Sequence, residues 1–152
     1  MTGPDVIDAA AGLLSDSPVA LLRRQREAFV RHAQGSHDVL IAPAEPGGLS
    51  LTERAAIALC VATMERDDAL IAHYRAALER GRDVSPRLDI ILDHVKMVVS
   101  NPGAAAQERL DALIAVGLAP RDIVAMTQIV AFVSYQVRVV AGLRALAEDV
   151  RG

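Results

Sequence analysis

Two tyrosines, two phenylalanines and no tryptophan leave this chain of 152 residues almost without aromatic side chains. Sheet-built cores draw on aromatic and β-branched residues in alternation. A hydrophobic share of 52% with an aromatic share of only 3% instead fits an Ala/Leu/Val-built, all-α protein. The single cysteine, Cys60, rules out an intramolecular disulfide and any internal pair of thiols that could cycle with one. Neither charge dominates: 16 Lys and Arg stand against 19 Asp and Glu, interspersed, so no basic face invites nucleic acid. Uninterrupted apolar runs fall well short of the roughly 18 residues of a membrane span, and no charged start leads into an apolar export signal. A cytoplasmic protein is the expectation, with neither membrane nor nucleic acid as a partner. The four histidines show no HxxxH or HExxH spacing, and phosphate-binding glycine loops and GxSxG are missing, so neither metal nor cofactor is expected.

What is present is helical punctuation. The length suits one domain. An amphipathic segment covers residues 5–14, and Ser17-Pro18 announces a second helix that carries Val19, Leu21, Leu22, Phe29 and Val30 and is expected to end near Gly35. Pro43, Pro46 and Gly47-Gly48 break the periodicity between 37 and 48, making residues 1–48 an N-terminal helical hairpin plus connection and 49–152 the core. Ser50 with Glu53 three residues on is a capping box. Asp67 or Asp68 caps the next helix, which ends at Gly81, with a tight turn near Arg66 between the two. Ser85-Pro86 opens a fifth helix, Asn101-Pro102 stops it, and a sixth runs to Gly117. The last starts at Pro120 and reaches about residue 150; at 1.5 Å per residue it would span about 45 Å, which requires a kink near Gly142 or an extension into a neighbouring subunit.

Two stretches carry a family resemblance. The first runs from Leu49-Ser50-Leu51-Thr52-Glu53-Arg54 to Leu70-Ile71-Ala72-His73-Tyr74-Arg75-Ala76-Ala77-Leu78; the second opens with Gly117-Leu118-Ala119-Pro120-Arg121-Asp122-Ile123 and continues through an apolar run to Arg138. Together they resemble the core of the carboxymuconolactone decarboxylase and alkylhydroperoxidase D-like superfamily over about residues 49–146. The resemblance implies an alkylhydroperoxidase D-like bundle of about seven helices, a homo-oligomer, and descent from peroxidase-related antioxidant proteins. In the family a Leu-Ser-x-x-Glu-Arg opening leads to CxxC and then to a His. Here Asp67 and Leu70 stand where the cysteines belong, Ala55 stands at the motif glutamate, and His73 matches the histidine across a one-residue gap.

Those departures set the functional expectation. In the family the CxxC sits at a helix N-terminus, where the dipole lowers the thiol pKa; a carboxylate at Asp67 suits that dipole as a cap but cannot cycle with a disulfide. Cys60 lies mid-helix between Leu59 and Val61, the setting of an inert buried thiol. Thiol peroxidase chemistry is therefore not expected. His73, with Glu53 as a possible neighbour, is the candidate catalytic pair of an acid–base enzyme acting on a small carboxylate, as in the decarboxylase branch; its alternative reading is a packed core histidine. Gln128, Tyr135 and Arg138, spaced by seven and three along the last helix, either line a site for a carboxylate ligand or make interhelical bonds, with Glu53 a candidate partner for Arg138. A non-redox oligomeric domain that binds a small ligand or a protein partner needs the fewest assumptions.

Overall fold

The computed structural model describes residues 5–81 and 83–150, and over them the chain is all-helical. Eight α-helices are present among the described residues: α1 (Val6–Ala11), α2 (Pro18–Arg24), α3 (Glu27–Ile41), α4 (Leu51–Glu65), α5 (Asp68–Arg80), α6 (Leu88–Ser100), α7 (Gln107–Ala115) and α8 (Pro120–Asp149), with a 3₁₀ turn at Pro102–Ala104. The all-α bundle expected from composition is what the chain forms.

The helix starts follow local chemistry. Ser17 accepts from the Ala20 amide with Pro18 behind it, and Asp67 accepts from the Leu70 amide at 2.9 Å. Ser50 and Glu53 complete their box: the Glu53 amide donates to Ser50 Oγ, and the Ser50 amide donates to Glu53 Oε2. Between α4 and α5 the chain turns on Arg66 alone, in the left-handed conformation (φ 61°), so that Asp67 follows directly as the next cap.

Two boundaries differ from the sequence reading. The second expected helix is two, because Arg26 (φ −111°, ψ 58°) leaves the helical region. Its second half then passes through Gly35 to Ile41, where a glycine costs only about 1 kcal/mol and burial of Ala33 and Ile41 offsets it. The last helix continues through Gly142 for 30 residues without a break.

α4 is the centre of the bundle, packed against α5, α6 and α8, and its Ala55, Ala56, Ile57, Ala58, Val61 and Ala62 are all buried. Small side chains let the neighbours approach closely. α1 rests on α5 and α8, and α2 on α3 and α8, so Ile7, Val19 and Ala33 belong to the same core as Ile57 and Val133. α8 serves this core with one face only: Met126, Ile129, Val133, Gln136 and Val140 are buried, at the three-to-four spacing of a helix stripe. By length and composition α8 could cross a membrane, with an 18-residue window of mean hydropathy 1.6, yet only 33% of that window is buried inside the chain.

Candidate functional site

The two stretches that carry the resemblance meet in space, and what they build there is a clamp. Glu53, 2% exposed, accepts from Arg87 Nε at 2.7 Å and from Ser85 Oγ at 2.6 Å besides its capping bond. Burial pushes its carboxyl pKa up, but the hydrogen bonds from Arg87, Ser85 and Ser50 outweigh this and hold it below the ordinary value. Arg87 also reaches the carbonyls of Gly48 and Val116. Asp122 closes the group from α8: it accepts from the Ala119 amide at 3.0 Å, capping its own helix, and from the Gly48 amide at 3.2 Å. A side chain at Gly48 would collide with that carboxylate. Arg54 is buried without a bonded carboxylate and donates to three carbonyls, of Leu40, Pro46 and Leu49, at 2.8–2.9 Å. The Leu-Ser-x-x-Glu-Arg and Leu-Ala-x-x-Asp-Ile elements thus tie the connection after α3 to the starts of α4, α6 and α8.

At Asp67 and Leu70, where the resemblance would place cysteines, the structure holds packing and pairing. Leu70 is fully buried, and Asp67 joins its cap to an ion pair with Arg144 at 2.7 Å, whose other arm donates to the Ala10 carbonyl. Cys60 is half-buried, and burial pushes its thiol pKa up, away from the reactive thiolate.

His73 does not meet Glu53. Antiparallel packing brings the start of α4 to the end of α5, where Gly81 lies against Thr52, and His73 sits seven residues before that end, roughly 10 Å back along the helix. Its partner is His37 of α3: the two Nε2 atoms are 3.0 Å apart, and His37 Nδ1 lies 3.1 Å from Asp38 Oδ1. A proton on His37 Nδ1 donated to Asp38 leaves its Nε2 as acceptor, so His73 Nε2–H donates to it. Burial first, then His37 and Arg80, lower the His73 pKa to about 4, so its imidazole is neutral at pH 7. Tyr74 flanks both rings, edge-on to His73 with centroids at 4.9 Å and stacked on His37 at 6.2 Å. Its hydroxyl, with a pKa raised by burial, donates to Gln136 Oε1 on α8, whose Nε2 is buried without a partner among the described residues.

Gln128, Tyr135 and Arg138 do share one side of α8, but it is the outer side, and all three are exposed. Arg138 follows Val137 and precedes Val139 and Val140 in sequence without sharing their helical phase: Val140 is fully buried and Val137 and Val139 are partly buried against the core, while Arg138 points outward. Arg138 donates to Glu65 Oε1 at 3.2 Å and to the Ser134 carbonyl, with two thirds of its side chain in solvent. Glu53, its proposed partner, is taken by Arg87. Arg138→Ala is accordingly expected to cost under about 1 kcal/mol in urea unfolding, the range of surface pairs; a loss above about 3 kcal/mol would restore the buried-pair reading.

Two open grooves run beside Tyr135. One, of about 400 Å³, is lined by Phe29, His32, Ala33 and Ser36 of α3 with Phe132 and Tyr135 of α8; the other, of about 260 Å³, continues past Leu22, Arg26, Val139 and Leu143. Neither includes His73 or Arg138. No group of three or more His, Cys, Asp or Glu is placed to hold a metal among the described residues. Comparison with protein-family models and with curated proteins finds no match to the chain.

His37, Arg87, Arg54, Asp122 and Gln136 were missed by sequence reasoning. Each has at least one partner 8 to 74 residues away, and the local sign was Asp122, the third residue of a helix that begins with proline.

Proposed function

We propose that this protein is a non-redox, self-associating domain of the carboxymuconolactone decarboxylase and alkylhydroperoxidase D-like type, cytoplasmic, whose working surface is the apolar face shared by α3 and α8. One observation carries the reading: α8 contains an 18-residue window of mean hydropathy 1.6, and only 33% of that window is buried inside its own chain. Phe29 (65% exposed), Leu22, Val124, Tyr135 and Leu146 remain in water along and beside that face. Several large apolar side chains left exposed along one pair of helices are what a protein–protein interface covers. A second copy fits better than a bilayer as the occupant. The inner face of α8 supplies Met126, Ile129, Val133 and Val140 to the bundle core, so the helix cannot enter a membrane without dismantling the fold, and Arg121, Gln128 and Arg138 interrupt its outer face. A single patch repeated on two copies closes by a two-fold axis.

The loss of the cysteine pair and the packing of Asp67 and Leu70 support the non-redox half of the reading. Acid–base turnover on a small carboxylate has less behind it, because the clamp engages Glu53 and solvent engages Arg138. Light scattering at tens of micromolar is expected to give a dimer or larger assembly for the wild type and a monomer for Tyr135→Glu, a position 43% exposed whose ring lies beside Phe132 with centroids 6.1 Å apart. A monomeric wild type, or one that instead floats with anionic phospholipid vesicles, would overturn self-association.

A further inference from the structure

Two histidines face each other across α3 and α5, away from the apolar face. We infer that His37 and His73 form a two-imidazole site for a borderline first-row metal ion such as Zn²⁺. Geometry, orientation and setting lead there.

The first is geometry. A tetrahedral metal at 2.0–2.1 Å from each nitrogen needs the two donors about 3.3 Å apart. The Nε2 atoms stand at 3.0 Å, with the rings tilted by 57° and centroids 5.2 Å apart, so a separation of a few tenths of an ångström admits the ion. The second is orientation. Metal-bound imidazoles donate their other N–H to a carboxylate or carbonyl, which fixes the tautomer and aims the free lone pair at the metal. Asp38 holds His37 in that way through Nδ1, with the Gln34 amide donating to the same carboxylate at 2.7 Å; His73, which donates its Nε2–H to His37 in the ion-free protein, carries that proton on Nδ1 instead when the ion binds. The third is a rigid, shielded setting. Tyr74 packs on both rings and is itself fixed to Gln136, and the His37 side chain is only 12% exposed.

Two protein donors leave the remaining positions to water or to a carboxylate from outside. Binding is therefore expected in the micromolar range, weaker than a closed structural site, and imidazole donors favour Zn²⁺, Cu²⁺ and Ni²⁺ over Mg²⁺. Because the two ligands come from different helices, the ion ties α3 to α5 and stabilises the folded state only. Hard oxygen-seeking ions would not.

The test is thermal unfolding of the untagged chain at pH 7.5 with Zn²⁺ or Mg²⁺. At a Zn²⁺ concentration about a hundredfold above its Kd the melting temperature is expected to rise by roughly 5–10 °C, and not with Mg²⁺. His37→Gln and His73→Gln should each abolish the rise, His32→Gln, a change in the exposed groove, should keep it, and Asp38→Asn should weaken Zn²⁺ binding about tenfold. Wild-type protein titrated with Co²⁺ gives a readout that does not depend on any variant folding: the expected visible absorbance is that of a tetrahedral nitrogen and oxygen site. A wild type without upshift or Co²⁺ band, or an upshift that survives both His37→Gln and His73→Gln, overturns the site. Neither result bears on self-association, which Tyr135→Glu addresses separately.

Discussion

Glu53→Ala is expected to destabilise the protein by about 3–5 kcal/mol, the cost of leaving one member of a buried ion pair alone. That is a large part of the roughly 5–15 kcal/mol that holds a domain together. The loss has three sources. Arg87 keeps its charge with only the carbonyls of Gly48 and Val116 to meet it, the Ser50 amide loses its acceptor at the start of α4, and Ser85 loses its own. Arg87→Ala strands the carboxylate instead, and the double variant should cost clearly less than the sum of the two, since no lone charge is left behind. The same pair predicts a pH dependence. The folded pKa of Glu53 lies below its unfolded value of about 4.3. Its contribution is therefore complete above that value and is lost as the pH falls through the folded pKa. Wild type should shed stability below about pH 4.5 more steeply than Glu53→Ala, and equal slopes in urea unfolding across that range would remove Glu53 from the account.

How much of this was legible beforehand depends on the range of the interaction. Ser50 and Glu53, Ser17 and Pro18, and the turn at Arg66 with its cap at Asp67 are settled within four residues, and each appears where the sequence put it. Glu53 was read as a catalytic candidate, whereas its carboxylate is held by Arg87 and Ser85, and the structural roles of Arg54 and Asp122, which lie in the same two stretches, depend on distant carbonyls and amides that no local pattern shows. Phase along α8 was not legible. Gln136 and Arg138 are two residues apart in an equally apolar run, and only the position of α4 and α5 decides that the first is buried against Tyr74 while the second points to water. His37 and His73 are 36 residues apart on helices that are not consecutive, so no spacing rule could have joined them.

Arg54→Ala should be the second large loss, and it differs in kind because this guanidinium has no carboxylate to answer. Its Nε, Nη1 and Nη2 go to the carbonyls of Leu49, Leu40 and Pro46, one from the last turn of α3 and two from the connection to α4. A connection of nine residues carrying Pro43 and Pro46 makes few backbone bonds of its own, so the arginine supplies donors that the chain lacks. Burial draws the guanidinium pKa down, with Asp122 and Glu53 opposing from a distance, yet an arginine remains charged in a protein. Its removal strands up to three acceptors at about 1–3 kcal/mol each, less whatever water recovers, which gives a net cost of roughly 3–5 kcal/mol. Arg54→Met keeps the apolar stem and loses the donors; Arg54→Lys keeps the charge and loses the fork. If the hydrogen bonds carry the effect, methionine should be nearly as damaging as alanine, and lysine should recover only part. Amide exchange in the segment between α3 and α4 should then accelerate in all three variants while α8 beyond its first turns stays protected. A methionine variant as stable as wild type in urea would show that the stem, and not the three carbonyl contacts, is what Arg54 contributes.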